Sequence, residues 1–474
     1  MLNQIRQNPL LLTDSYNLSH TRLKCNVDWE VSHLYNRSQG MILYGLRETI
    51  ASLLSIRITE EHIREAERGA AMQGLKFPSE LFERVVNECN GYAPIAVESL
   101  PEGTWCPAGT PFAQVYNTKM GFGELVTWWE GVFMHAYFPS GCATEAFRMR
   151  RYLEQKQRQY GYDDSFFWKL HSFGFRGHRS LEDAYWAGTA WNLALQGTDD
   201  FHTTLHTPNA FIGSISALAH KVTQQYDDEL DCFRHAIDAT AQAGEKVVAL
   251  VIDTYDANRV IREYLPELGA RARERGVRIV LRPDSGDVLR QAIDIYEAAR
   301  GHGLLDVVGV IIGEGMNFER VRQYDEQLER EGVPISFVSY GVGAGFYQNV
   351  SRDTLGWAMK TAFSNGKDRM KFSMVELKRS LPGKIKPVLV RGELTVEAAD
   401  ESELEGLYET VYRHDGDGEP ALLLAGPDHW AAVRERMRKQ TAEQQNVRLS
   451  AEIERKIRRF ADLYLQTEEK KERG

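Results

Sequence analysis

The stretch that decides the fold is Val277-Arg278-Ile279-Val280-Leu281-Arg282-Pro283-Asp284-Ser285-Gly286. A short run of aliphatic, β-branched residues ends abruptly in a cation, an acid and a glycine turn, which reads as a buried strand with a polar tip. The pattern recurs on both sides. Lys246–Asp253 runs into Thr254-Tyr255-Asp256, Val307–Gly313 into Glu314-Gly315, and Ile335–Tyr340 into Gly341-Val342-Gly343-Ala344-Gly345. Helical patterns fill the intervals. Over Asp287–Arg300, for example, Val288, Leu289, Ala292, Ile293, Tyr296 and Ala299 form one apolar stripe. Strand, helix, strand at a spacing of about 30 residues is the signature of parallel strands. In an α/β barrel the tips of such strands make the catalytic rim.

The tips supply Asp253 and Asp256, then Arg282 and Asp284, then Gly313 and Glu314, then the glycines of 341–345. Carboxylates beside loops rich in free backbone N–H suit a metal and a phosphorylated sugar. A Schiff-base aldolase needs a lysine at a strand end, and these tips offer none. Metal-assisted transfer at a sugar carbon fits Asp253, Asp284 and Glu314 better. Taken singly, each acid reads equally as the cap of the helix that follows it, and Gly341–Gly345 as a flexible turn. Three acids at successive tips favour a site.

Working outward, residues 79–89 carry Phe82, Val85, Val86 and Cys89 at helical spacing, and residues 94–116 read as short strands joined by Pro-Glu-Gly and Pro-Ala-Gly turns. Two basic helices, at about 427–445 and 450–470, look like solvated surface. The chain of 474 residues has room for two to four domains. Its net charge of -10 argues against nucleic acid as the main partner, while leaving small anions open. No apolar run is long enough to span a membrane, and Met1–Arg6 lacks a signal peptide's apolar core. Five scattered cysteines, at 25, 89, 106, 142 and 232, make neither a disulfide framework nor a zinc site. A cytoplasmic enzyme is the expectation.

Beyond this point a resemblance carries the reading. Leu12-Thr13-Asp14-Ser15-Tyr16 with His20, Tyr44-Gly45-Leu46, Leu170-His171-Ser172-Phe173-Gly174-Phe175-Arg176-Gly177, Gly197-Thr198-Asp199, Asp253-Thr254-Tyr255-Asp256, Arg282–Gly286, Gly313–Gly315, Tyr340–Gly345 and Ser351-Arg352-Asp353 stand in this order. In that order the chain, from about residue 10 to about 375, resembles the type II nicotinate/nicotinamide phosphoribosyltransferases. The resemblance implies an irregular α/β barrel (residues 146–384) packed on a discontinuous, mostly antiparallel β-rich α+β domain (1–145 with 385–474). It also implies a homodimer with shared active sites. The implied reaction joins a pyridine base to phosphoribosyl pyrophosphate with Mg²⁺, releasing pyrophosphate.

The resemblance also distributes roles. Phe173, and Tyr16 of the second subunit, would stack on the base, since a flat ring that gains positive charge favours aromatic faces. Arg282 would donate to the carboxamide oxygen and Asp199 accept from its nitrogen. A carboxylate base would meet Asp199 as a like charge, so nicotinamide is expected over nicotinate. Asn209 would line the base tunnel. Asp253 and Asp284 would hold Mg²⁺, with Asp284, Gly313 and Glu314 at the ribose. The phosphates would rest on Arg176, Gly343, Ala344, Gly345, Arg37, Arg352, Lys360 and Lys371.

One departure stands out. Relatives couple ATP hydrolysis to transfer through a phosphorylated histidine in a Pro-Ala-Ala-Glu-His-Ser-like segment. Aligned on Pro208, this chain has Phe211 at the glutamate and Ile212 at the histidine. Transfer without ATP coupling is therefore the expectation, with another aromatic base as the alternative within the class. A non-catalytic nucleotide-binding paralogue is the alternative outside it.

Overall fold

The four apolar runs are central strands of one parallel sheet. In this computed structural model, which describes residues 7–23, 27–206, 212–373, 379–440 and 444–472, the sheet has seven strands. Their order is Gly197–Thr198, Leu170–Ser172, Val338–Val342, Val308–Ile312, Arg278–Arg282, Val247–Val251 and Ser216–Ala217. Every neighbouring pair is parallel. The sheet curls until its two edges meet. Gly197 bridges Gly213, with Thr198 N donating to Gly213 O at 2.9 Å and Gly213 N to Gln196 O at 3.0 Å. The result is the irregular α/β barrel expected. Val308–Ile312 is buried along its whole length, as a strand covered on both faces should be.

Local chemistry explains the spacing. Asp287 caps the helix Val288–Gly301 by accepting from Arg290 N, and Asn317 caps Phe318–Arg330 by accepting from Arg320 N. The fourth run begins later than its apolarity suggested. After Pro334 the residues Ile335–Phe337 form a 3-10 turn, and the strand starts at Val338.

The parallel sheet belongs to a unit spanning Glu145–Asn349, and Met1–Thr144 with Val350–Gly474 form a second unit. That second unit is built on an antiparallel sheet in which Ala358–Ser364 pairs with Glu30–Asn36, which pairs in turn with Thr110–Asn117. The barrel segment was expected to run to residue 384, whereas the compact unit that holds the parallel sheet ends at Asn349. Ala358–Ser364 lies with the chain ends as a strand of the antiparallel sheet. A hairpin of Ile385–Val390 and Glu393–Ala398 adds a smaller sheet. The helix Pro427–Lys439 is more than solvated surface, since Trp430, Val433 and Met437 are buried.

Candidate active site

All seven parallel strands end at one rim. Around it, Asp199 follows Gly197–Thr198, Phe173 and Arg176 follow Leu170–Ser172, and Gly343–Gly345 follow Val338–Val342. Gly313 and Glu314 follow Val308–Ile312, and Arg282 and Asp284 stand at the end of Arg278–Arg282. Asp253 follows Val247–Val251, and His220 follows Ser216–Ala217. The structure thus places these residues on successive strand ends, whereas Arg352, Lys360 and Lys371 belong to the other unit; Asn209 and Phe211 lie outside the described residues.

Two glycines seat the Phe173 ring. A Cβ on Gly341 would lie 2.0 Å from Phe173 Cε2, and one on Gly313 would lie 3.8 Å from the same atom and 3.2 Å from Asp284 Oδ1. Gly313 therefore separates the aromatic ring from the Asp284 carboxylate. The Ala344 methyl turns toward Gly177, where an added Cβ would come within 3.0 Å of it. Beside Gly343 there is open space, with nothing within 4 Å of a would-be Cβ.

The acids are tied unequally. Asp253 Oδ2 accepts from Ser285 Oγ at 2.5 Å, whereas its Oδ1 is buried without a hydrogen bond. Arg282 Nε is likewise buried and unpartnered. Buried polar atoms without partners are rare and costly, and at a rim they mark where a ligand would complete the bonding. Asp199 and Asp200 divide their tasks. Asp200 is buried and spends its oxygens inside the fold on Ser172 Oγ and Phe175 N. Asp199 is exposed and accepts from Ser214 Oγ. Near Asp199, burial lowers the His171 imidazole below its usual range, with the Asp199 charge pulling the other way.

His220 stands at the rim, although no sequence signal singled it out. Its Nδ1 lies 3.0 Å from Thr254 Oγ1, and its Nε2 lies 3.9 Å from Asp253 Oδ1 and 3.7 Å from Asp284 Oδ2. Ile212 precedes the Gly213 bridge and so sits at the opposite end of the Ser216–Ala217 strand from these acids. A register on Ser216-Ala217-Leu218-Ala219-His220-Lys221 matches Pro-Ala-Ala-Glu-His-Ser at Ala217 and His220. The Pro208 register also matches at two positions, Pro208 and Ala210, so sequence alone gives a tie. Of the two positions, it is His220 that stands beside the acids.

The residues assigned to a second subunit form their own group in the other unit. Tyr16 is 55% exposed, and its phenol is pushed up by partial burial and by Glu130 and Asp14, against Arg352. Burial lowers the Lys360 ammonium, Glu130 opposes this, and Arg37, Lys371 and Arg352 add to the lowering. Arg37 Nε is anchored on Gly356 O at 3.2 Å. Arg37, Arg352, Lys360 and Lys371 thus lie close enough to influence one another, and Arg352 also pairs with Asp353 at 2.8 Å.

Comparisons with known proteins follow the same line. Residues 168–371 match the nicotinate phosphoribosyltransferase (NAPRTase) family. Over 447 residues the chain is 28% identical to a nicotinamide phosphoribosyltransferase of Xanthomonas campestris pv. campestris (strain 8004), covering 88% of this chain and 93% of that protein. A nicotinamide phosphoribosyltransferase of Mycoplasma pneumoniae is 31% identical over 225 residues, covering 42% of this chain and 48% of its own. The crystal structure of human nicotinic acid phosphoribosyltransferase superposes with a TM-score of 0.62 at 18% identity, covering 94% of this chain and 99% of that one, which speaks to the fold.

Proposed function

We infer that this chain, which carries a nicotinate phosphoribosyltransferase family domain at residues 168–371, joins nicotinamide to phosphoribosyl pyrophosphate, giving nicotinamide mononucleotide and pyrophosphate. The observation that carries this reading is the rim itself. It holds two carboxylates with one oxygen engaged, Asp253 by Ser285 and Asp199 by Ser214, an unpartnered buried guanidinium nitrogen and an aromatic ring seated on glycine.

Each group then has a task. Phe173 offers a flat face to the pyridine ring, and its attraction grows as the ring nitrogen becomes cationic. Arg282 donates to the carboxamide oxygen through the Nε that lacks a partner in the fold, and Asp199 accepts from the amide nitrogen. Nicotinate would set a second carboxylate against Asp199, the specific reason for ranking it behind nicotinamide. Asp253, Asp284 and Glu314 stabilise the positive charge that builds at the sugar carbon as the pyrophosphate departs. Arg176 and the Gly343–Gly345 loop hold phosphate oxygens. Paired acids facing the sugar favour turnover over a binding paralogue, which would need none.

Among the described residues no three His, Cys, Asp or Glu side chains are arranged to hold an ion by themselves. Asp253, with its free buried oxygen, and Asp284 nevertheless fit Mg²⁺, which keeps phosphate oxygens and waters in its shell. When bound, the ion neutralises charge on the leaving pyrophosphate. We assign His220 the phosphoryl-accepting role. A ring nitrogen takes the γ-phosphoryl of ATP as ADP leaves, and water later releases phosphate. Thr254 holds Nδ1 and turns Nε2 toward the acids. Tyr16, Arg37, Arg352, Lys360 and Lys371 serve the site of a second copy in a homodimer. No helix among the described residues is long and apolar enough to cross a membrane, and a cytoplasmic location fits the substrates.

Two assays test this. Pyrophosphate release from phosphoribosyl pyrophosphate with Mg²⁺ should be fastest with nicotinamide in a panel of pyridine and purine bases. Absence of release with every base would favour the binding paralogue, and release with nicotinate alone would overturn the role of Asp199. With [γ-³²P]ATP the protein should carry an acid-labile label that His220→Ala abolishes. A label that survives the substitution would remove His220 from the reaction.

A further inference from the structure

Closure of the barrel places a hydroxyl on the residue that reads the base. The Gly197–Gly213 bridge joins the first strand of the sheet to the residues that lead into the last, so Ser214 and Asp199 leave the seam side by side. Ser214 Oγ donates to Asp199 Oδ1, and its other neighbour, Ile215 O, stands off at 3.5 Å. Asp199 N donates to Ser172 O at 2.9 Å, which fixes the backbone of the same residue. Among the described residues Asp199 Oδ2 has no partner. An exposed aspartate on a turn otherwise samples several rotamers, and holding it in one costs entropy each time a ligand binds. A hydroxyl that engages one oxygen removes that cost in advance and turns the other oxygen outward.

We propose that Ser214 is a positioning residue that aims Asp199 Oδ2 at the carboxamide nitrogen of the base and thereby sets the preference for an amide over a carboxylate. This rests on the reading of Asp199 as the residue facing the carboxamide. With the hydroxyl present, Asp199 accepts from an amide and repels a carboxylate. Without it, Asp199 swings away, so nicotinamide loses an acceptor while nicotinate loses a repulsion. Discrimination narrows from both sides.

The test is a double-mutant cycle on the full chain, read as KM and kcat/KM for nicotinamide and nicotinate. Ser214→Ala should raise the nicotinamide KM about tenfold, the size of a lost hydrogen bond to a charged group. It should lower the nicotinamide-to-nicotinate ratio while leaving the KM for phosphoribosyl pyrophosphate in place. Ser214→Thr, which keeps the hydroxyl, should restore the ratio. In an Asp199→Asn background, Ser214→Ala should add little, because the pair acts as one unit. An unchanged ratio in Ser214→Ala, or an effect that adds in full to that of Asp199→Asn, overturns the proposal while Asp199 keeps its role. If Asp199→Asn itself leaves the ratio unchanged, the reading of Asp199 fails and the proposal goes with it.

Discussion

The two ends of the barrel use the same residue types to opposite purposes. At the end where the strands begin, Lys169 donates to the carbonyls of Ile335 and Val338 at 2.6 and 2.7 Å and pairs with Asp325 at 3.0 Å. Asp325 also accepts from Tyr152 and Tyr340, at 2.9 and 2.8 Å. Each of these polar groups is spent on its neighbours, and both charges are fully buried. At the end where the strands finish, Asp253 keeps a bare oxygen, Arg282 a bare nitrogen, and His220 stands beyond hydrogen-bonding distance from two acids. The contrast separates stability from chemistry. A closed polar network fixes the fold, whereas an open one holds binding energy in reserve for a ligand.

Substitution at each end should sharpen the contrast. Asp253→Asn should cut kcat/KM by about 100-fold or more and leave the melting temperature within about 2 °C. Lys169→Met should do the reverse, costing about 3–5 kcal/mol of stability by stranding Asp325, with the activity of the folded fraction retained. Adding Asp325→Leu should recover most of that loss, because a stranded charge is worse than none. Denaturation and steady-state kinetics on the same variants check both halves. Equal losses of stability at the two ends would erase the distinction.

A smaller effect is expected from Gly341→Ala. The new methyl would occupy the place of the Phe173 ring, so the KM for the base should rise about tenfold while the phosphoribosyl pyrophosphate KM changes less. An unchanged base KM would mean that the ring's seat on Gly341 is unimportant.

The smallest effect concerns Glu229, at the start of the helix Glu229–Gln242. Burial pushes its carboxyl up from 4.5 to about 7. Arg259 opposes the rise, and Asp228, Asp253 and Asp256 add to it. The folded state therefore holds a proton that the unfolded state has lost across that window, and stability falls as pH rises through it. Glu229→Gln should match the wild type in melting temperature near about pH 4 and exceed it by a few degrees near about pH 8. Parallel melting curves across that range would count against a buried, late-titrating carboxyl.

Much of the rim was legible because chain order and strand pattern place it there. A strand that ends in Arg-Pro-Asp-Ser-Gly presents those residues wherever the barrel forms, so Arg282 and Asp284 follow from sequence. Asp199 against Asp200 was not decidable from residue type, since Gly-Thr-Asp-Asp offers two equal carboxylates. Only the hydrogen bonds of Asp200 to Ser172 and Phe175 show which one is spent inside. His220 was missed for a related reason. Two registers of a six-residue motif matched equally well, and the strand Ser216–Ala217 is too short for its periodicity to choose between them.

Taken alone, the sequence determined the parallel barrel, the order of its tips and the class of chemistry, because period, spacing and residue type are properties of the chain itself. Tertiary structure decided which oxygen is free, which histidine faces the acids, and that Ala358–Ser364 joins the antiparallel sheet. Those answers depend on distances between residues far apart in sequence. Such distances are set only when the two edges of a curled sheet meet and a strand finds its partner more than 300 residues away.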